Sequence, residues 1–159
     1  IYTVTIDESK RKDEKWYINT NITYAFDGTN ATGSYGDATA KAHADTTWTQ
    51  EQIDDGDAPD GADTDTVATR GLKHNLIQTV KAQAEGELNR TDWYITRKAE
   101  KNTAIPSAIT THRDAVRSKQ AAMETAITNA SDTPALETLY AYVNTADEGD
   151  PEVIDFVIN

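Results

Sequence analysis

Residues 89–117 constrain the fold more than any other part of the chain, because they contain two helix starts separated by a break. Thr91 or Asp92 can cap a first helix, since both side chains accept hydrogen bonds from free backbone N–H groups. Asn102 interrupts the helical run, and the residue before Pro106 is driven out of the α region. A second helix begins directly after Pro106. The segment therefore predicts two helices joined by a short extended turn.

Both helices carry side chains that we expect to pack. Trp93 and Tyr94 lie in the first turn of the first helix, where aromatic side chains more often fill a core than form a ligand platform. On the second helix, the spacing puts His112 on the apolar side and Arg113 and Arg117 on the flank. We therefore expect truncation of Trp93 to cost about 3–5 kcal/mol, as for other large-to-small core changes.

This segment, with TDWYITRKAE, a short gap, IP and then HRDAVR, resembles a segment of accessory tail proteins of tailed bacteriophages. These include proteins grouped as tail assembly chaperones and tail-fibre-associated proteins. In that pattern an Asp-Trp pair opens a short helix, an Arg-Lys follows, and an Ile-Pro leads into a helix that ends in Tyr-Arg-x-x-x-Arg. The matching positions are Asp92, Trp93, Arg97, Lys98, Ile105, Pro106, Arg113 and Arg117, while His112 stands where the family more often has Tyr.

The resemblance is confined to residues 89–117 and leaves the rest of the chain unexplained. Because such proteins are not known as enzymes, it implies a structural or assembly role. It also implies that this segment is a packing unit rather than an active site. The residues expected to pack or to form an interface there are Trp93, Tyr94, Ile105, Pro106 and Arg113.

The remaining sequence predicts an α+β fold, in which a small N-terminal antiparallel β unit is followed by an antiparallel helical bundle. Residues 1–6 and 15–26 alternate apolar and polar side chains, which is typical of strands. The predicted division is a β-rich unit at 1–48, an acidic loop or linker at 49–65, a helical unit at 66–146 and a β-prone C-terminal arm at 147–159.

Three helices are predicted besides the short one that opens with Trp93. Residues 66–90 and Ser107–Asn129 both carry apolar side chains at helical spacing. The third helix starts at Thr133, because proline at the next position suits the first turn of a helix. Its apolar positions continue to Val143.

Charge and composition exclude several classes of function. The net charge of −12 argues against nucleic-acid binding, which needs a basic surface, and against adsorption to anionic membranes. No run of 18 apolar residues exists, so we expect no membrane insertion, and no secretory signal pattern follows Ile1. The absence of cysteine removes disulfides, thiol nucleophiles and cysteine-bound zinc.

No catalytic residues are predicted. His43, His74 and His112 are scattered along the chain. No Ser/His/Asp order, zinc signature or glycine-rich phosphate loop surrounds any of them. We therefore expect a protein that is not an enzyme and that has no resident cofactor.

The acidic loop is the best candidate for a ligand. Clustered carboxylates on a turn-rich backbone are suited to calcium, which takes six to eight oxygen ligands. Their spacing does not match the 12-residue calcium loop, so a solvated linker is the favoured interpretation. The weak candidates for metal ligands are Asp55, Asp57 and Asp60. With Trp16 or Trp48 they predict an alternative function, a calcium-dependent carbohydrate-binding module.

The C-terminal arm ends in VIDFVI, a β-prone hexapeptide with one charge, which promotes aggregation unless it is paired. Two pairings are open. The segment either closes the domain's own sheet beside residues 1–6, which is favoured, or adds as a strand to a neighbouring subunit. The interface candidates are Val153, Ile154, Phe156 and Ile158.

We therefore predict a non-catalytic structural component of a tailed-phage virion, associated with the tail or fibres or decorating the capsid surface. It would act through subunit–subunit docking, with other virion proteins or further copies of itself as partners. Its predicted location is the virion, assembled in the cytoplasm of the bacterial host. The nearest alternative is a tail assembly chaperone that is absent from the mature particle.

Overall fold

A computed structural model describes residues 3–141, in which short strands come first and helices follow. The predicted α+β class is confirmed. The strands are β1 (Val4–Asp7), β2 (Tyr17–Ile18), β3 (Thr23–Phe26), β4 (Ala31–Ser34), β5 (Thr39–Ala40), β6 (Thr46–Thr47) and β7 (Val67–Thr69). The helices are α1 (Gln50–Asp54), α2 (Leu72–Asn89), α3 (Asp92–Lys101), α4 (Ser107–Asn129) and α5 (Thr133–Leu139).

The strands form one three-stranded and two two-stranded sheets. In the larger sheet β4 is central, with β3 antiparallel on one side and β1 parallel on the other. The pairs β2–β5 and β6–β7 are antiparallel. The β unit is thus mainly antiparallel, with one parallel pair. That pair arises because the chain passes through β2 and β3 before it reaches β4.

The predicted strand 15–26 is divided into β2 and β3, which belong to different sheets. Between them, the Asn19 amide accepts a hydrogen bond from the Lys12 N–H at 2.9 Å and donates one to the Lys12 carbonyl at 2.8 Å. The Thr20 hydroxyl accepts a bond from the Gly36 N–H at 2.7 Å. Such side-chain bonds replace ladder bonds, so the strand breaks here.

The predicted helix 66–90 begins later than expected, at Leu72. Its first residues instead form β7, which pairs with β6. This correction has a local cause, because β-branched Val and Thr favour a pleated strand. Gly71, in extended conformation, is the N-cap of α2.

Asp45 links the β6–β7 pair to the start of α2. Its carboxylate accepts a hydrogen bond from the Gly71 N–H at 2.7 Å and one from Arg70 at 2.7 Å. The Gly71 bond, followed by the Arg70 bond, lowers the pKa of the Asp45 carboxyl. The contact is close, because a Cβ atom added at Gly71 would lie 2.3 Å from the backbone of Ala44.

The main core lies between α2 and α4, which run antiparallel. The Lys73 ammonium at the start of α2 donates to the Thr128 carbonyl near the end of α4, at 2.9 Å. Trp16 and Tyr17 also enter this core, so β2 packs on the helices. The buried apolar residues are Trp16, Tyr17, Leu76, Val80, Ala84, Val116, Ile127 and Leu136.

The predicted start of the last helix is confirmed at Thr133. Asp132 caps it by accepting the Ala135 N–H at 2.8 Å, and the buried Thr133 hydroxyl donates to the Lys41 carbonyl at 2.6 Å. The helix ends at Leu139, and its predicted continuation to Val143 lies outside the described residues. Also outside are Ile1 and the interface candidates Val153, Ile154, Phe156 and Ile158.

Candidate functional site

The turn between α3 and α4 has the predicted form. Asn102 ends α3 in the left-handed conformation at a φ of 50°, and its N–H donates to the Lys98 carbonyl at 2.9 Å. Asparagine tolerates this conformation better than most residues. Pro106, with an extended backbone, precedes the first residue of α4. Ile105 is half-buried, whereas Pro106 is exposed, so proline acts here through its backbone rather than through packing.

Arg113 is buried, and not on the helix flank where the sequence placed it. Only 7% of the residue is exposed. Its guanidinium donates to the Leu88 carbonyl at 2.8 Å and to the Thr91 hydroxyl at 2.7 Å, and lies 2.8 Å from the Asp92 carboxylate. One arginine therefore binds the end of α2, the start of α3 and the first half of α4. His112, predicted on the apolar side, is half-buried.

Trp93 is a surface residue, contrary to the expectation that it fills the core. It is 51% exposed. Thr91 and Arg113 are buried instead, and the hydrogen bond between them lies at the junction of the helices. The Trp93 ring lies 4.0 Å from that of half-buried Tyr94, and the Arg97 guanidinium stands 4.6 Å from the Trp93 ring. Trp93, Tyr94 and Arg97 thus form an aromatic and cationic cluster.

A second exposed surface is the apolar face of the three-stranded sheet, which we define as Val4, Ile6, Tyr24, Phe26, Ala31 and Gly33. The register pairs Val4 and Phe26 with Ala31, and Ile6 and Tyr24 with Gly33, so these side chains share one face. Val4 is 56% exposed, Ile6 39%, Tyr24 65% and Phe26 58%. Among the described residues, none from β1, β3 or β4 belongs to the hydrophobic core cluster.

Gly33 lets the apolar face close over the centre of the sheet. A Cβ atom there would meet the side chains of Ile6, Ile22 and Tyr24 at 2.8–2.9 Å. These side chains therefore converge on the space that glycine leaves. The opposite face of the sheet carries mostly hydroxyl and carboxylate side chains. That polar face is made of Thr5, Asp7, Thr23, Ala25, Thr32 and Ser34.

The turn between β3 and β4 holds the apolar face in register. The Asp27 carboxylate accepts hydrogen bonds from the Asn30 N–H at 2.7 Å and the Thr29 N–H at 2.8 Å. These bonds, with that of Asn30 the largest, lower the pKa of Asp27. Gly28 takes the positive φ of 94° that the turn requires. The turn at Asp27 and Gly28 therefore places Phe26 at the end of β3.

The acidic loop begins with the short helix α1, where a loop or linker was predicted. Thr49 and Gln52 form a reciprocal capping box at its start. The calcium candidates Asp55, Asp57 and Asp60 follow it and are exposed. Within residues 3–141, no group of three or more His, Cys, Asp or Glu side chains is arranged to hold a metal ion.

The aromatic residues proposed for a carbohydrate site are buried or half-buried. Trp16 and Tyr17 are buried in the helical core, at 4% and 5% exposure. The Tyr17 hydroxyl donates to Glu137 at 2.8 Å, and this bond raises the pKa of Tyr17. Trp48 is half-buried. Trp16 and Tyr17 therefore serve packing and offer no exposed platform for a sugar ring.

The apolar sheet face is the feature that sequence reasoning missed. The alternation in VTID and TYAF was visible, but the partner of each strand was not. Ala31 and Gly33 carried the informative signal, since small residues alternate there with Thr and Ser. Only the pairing register shows that both small residues lie beneath Val4, Ile6, Tyr24 and Phe26.

No helix within the described residues is long and apolar enough to cross a membrane. No protein-family model, curated protein or solved structure matches this chain.

Proposed function

We propose that this chain is a non-catalytic structural component of a tailed-bacteriophage particle, associated with the tail or fibres or decorating the capsid surface. It works by docking the apolar sheet face onto a neighbouring virion subunit. The exposed apolar face is the observation that carries this proposal. The resemblance of residues 89–117 to accessory tail proteins is the reason for proposing a phage particle.

The size of the apolar face supports a docking role. From typical side-chain areas, its four large residues leave on the order of 400 Å² exposed, within the range of patches that are often functional on monomers. Covering that area would contribute up to about 10 kcal/mol before the cost of association is subtracted. Association itself costs about 4–15 kcal/mol, so the face needs further contacts to bind stably.

The edges of the same sheet offer such contacts. Within residues 3–141, β1 and β3 each pair with β4 alone, so each has one open edge. An open edge presents unpaired N–H and carbonyl groups to a partner strand. The occupant we propose is a neighbouring virion subunit that covers the apolar face with an apolar surface and pairs a strand with one edge.

Mass spectrometry of particles purified from producing cells tests the proposal. The intact protein should be present, and the double variant Tyr24→Ser and Phe26→Ser should be reduced at least tenfold. The matched control is Thr5→Ser and Thr32→Ser on the polar face, which should be retained. Equal incorporation of both variants would contradict docking through the apolar face.

A tail assembly chaperone is the second candidate, because an exposed apolar face also suits transient contact with an incomplete tail. It predicts that the intact protein is absent from purified particles but is recovered with tail proteins before assembly is complete.

The alternative function, a calcium-dependent carbohydrate-binding module, predicts an effect of calcium on stability. Millimolar calcium should then raise the melting temperature. The triple variant Asp55→Asn, Asp57→Asn and Asp60→Asn should abolish that rise.

A further inference from the structure

The helical hairpin of this acidic protein contains seven of its 15 Lys and Arg residues. Residues 89–119 contain seven Lys and Arg against three Asp and Glu, a net charge of +4 in a chain of net charge −12. Residues 51–65 are the opposite extreme, with seven Asp and Glu and no Lys or Arg. The molecule therefore has a basic helical hairpin and a strongly acidic segment, besides a smaller basic cluster at residues 10–15.

The basic side of α3 is built like a binding surface. We define the hairpin face as Trp93, Tyr94, Arg97, Lys98 and Lys101. Trp93, Arg97 and Lys101 follow one another at four-residue intervals, so they lie along one side of α3. Lys98 and Lys101 are exposed, and neither ammonium lies in an ion pair with any residue from 3 to 141.

The chemistry of the hairpin face matches that of interface hot spots, which are enriched in Trp, Tyr and Arg. Arg97 stands 4.6 Å from the Trp93 ring and 5.5 Å from the Tyr94 ring, which preorganises its guanidinium. Trp93 is half-exposed beside it. Such a surface favours a carboxylate-rich peptide, because the cations bind the acids while the indole covers the backbone.

The acidic segment provides a peptide of that kind. Its carboxylates Asp54, Asp55, Asp57 and Asp60 are all exposed, so the hairpin face of the same molecule does not cover them. Two positive-φ glycines turn the backbone here, Gly56 between Asp55 and Asp57 and Gly61 directly after Asp60. Among residues 3–141, no cation forms an ion pair with these carboxylates.

We propose that the hairpin face of one copy binds the acidic segment 51–65 of a second copy. Two copies can exchange this contact reciprocally in a two-fold dimer, or extend it head-to-tail into rings or open chains. This inference rests on the proposed structural role. A nucleic acid is disfavoured as the occupant, since the charge of the whole chain repels polyphosphate.

Sedimentation velocity of the purified full-length protein tests this contact. The wild type should associate with rising concentration, and raising the salt from 50 to 500 mM should weaken association because the contact is electrostatic. The variant Lys98→Glu with Lys101→Glu should weaken association at least tenfold. The control, Lys10→Glu with Lys12→Glu, makes the same change in net charge outside the hairpin face and should associate normally.

A mixing experiment separates a lost contact from a lost fold. The variant Asp57→Lys with Asp60→Lys should also fail to associate alone. Mixed with Lys98→Glu/Lys101→Glu, it should recover association, since each variant supplies the surface the other lacks. Failure of the mixture to recover, or a wild type that stays monomeric, would overturn the inference.

Two other outcomes also decide against this contact. Tight binding of a labelled DNA oligonucleotide that is lost in Lys98→Glu/Lys101→Glu would assign the hairpin face to nucleic acid. Association that persists in this variant but is lost in Tyr24→Ser/Phe26→Ser would assign self-contact to the apolar face. None of these results affects the particle measurement, so the proposed function is tested separately.

Discussion

Arg113 and Arg117 lie one helical turn apart on α4, and their replacement by Met should have very different consequences. Arg113 is buried and donates two hydrogen bonds, to the Leu88 carbonyl and the Thr91 hydroxyl. Arg117 is 52% exposed at its side chain, and its ion pair within residues 3–141 is with Asp114 of its own helix, at 3.4 Å. Met preserves length and helix propensity in both cases, so the comparison isolates the polar contacts.

The expected cost at Arg113 follows from those contacts. Hydrogen bonds from a charged donor contribute about 1.5–3 kcal/mol each. The Leu88 carbonyl would keep the Thr91 N–H and the Thr91 hydroxyl as donors, each at 3.0 Å, and the Asp92 ion pair is half-exposed and adds little. The buried Arg113 Nε has no hydrogen-bond partner among residues 3–141, so removing it recovers some desolvation free energy. We expect Arg113→Met to lower the free energy of unfolding by about 2–4 kcal/mol.

Urea unfolding followed by far-ultraviolet circular dichroism measures this difference. The two variants should have equal m values, so that the shift in midpoint reports stability alone. Arg117→Met should stay within about 0.5 kcal/mol of the wild type. A cost below about 1 kcal/mol for Arg113→Met, or equal costs for both variants, would refute the role of Arg113 as the link between three helices.

Four further substitutions test other parts of the structure. Gly71→Ala should lower the free energy of unfolding by about 1–3 kcal/mol, because its Cβ meets the Ala44 backbone. Gly86→Ala, in open space within α2, should raise it by about 0.5–1 kcal/mol. Thermal melts compare the two variants. Trp93→Ala should change stability by less than about 1 kcal/mol in the same assay, since the ring is half-exposed. The lowered pKa of Asp45 stabilises the fold above its unfolded pKa near 3.8, and this stabilisation is lost as the pH falls through the folded pKa. Between pH 6 and 3, the melting temperature of Asp45→Asn should therefore fall less than that of the wild type.

Local chemistry made much of the helical part predictable. The break at Asn102, the start of α4 after Pro106 and the start of α5 at Thr133 all depend on a few neighbouring residues, and all are present. The start of α2 was not predictable in this way. Residues 67–69 form a strand because β6, twenty residues earlier, pairs with them.

The surfaces were harder to predict than the elements, because they depend on which side of an element is covered. Arg113 and Trp93 illustrate this limit. The buried arginine has two hydrogen-bond partners and one ion-pair partner, whereas the tryptophan is exposed. From side-chain type and spacing, Trp93 was expected in the core and Arg113 on the flank of its helix. The apolar sheet face likewise became visible only when the β1–β4 and β3–β4 registers were known.

Cysteine labelling measures the docking of the apolar face most directly, because the chain contains no cysteine of its own. Phe26→Cys puts a thiol on the apolar face, and Ala25→Cys puts one on the polar face of the same strand. Both thiols should react with maleimide in the free protein. In purified particles, the thiol at position 26 should react at least tenfold more slowly than that at position 25. Equal reactivity of the two thiols in particles would contradict docking through the apolar face.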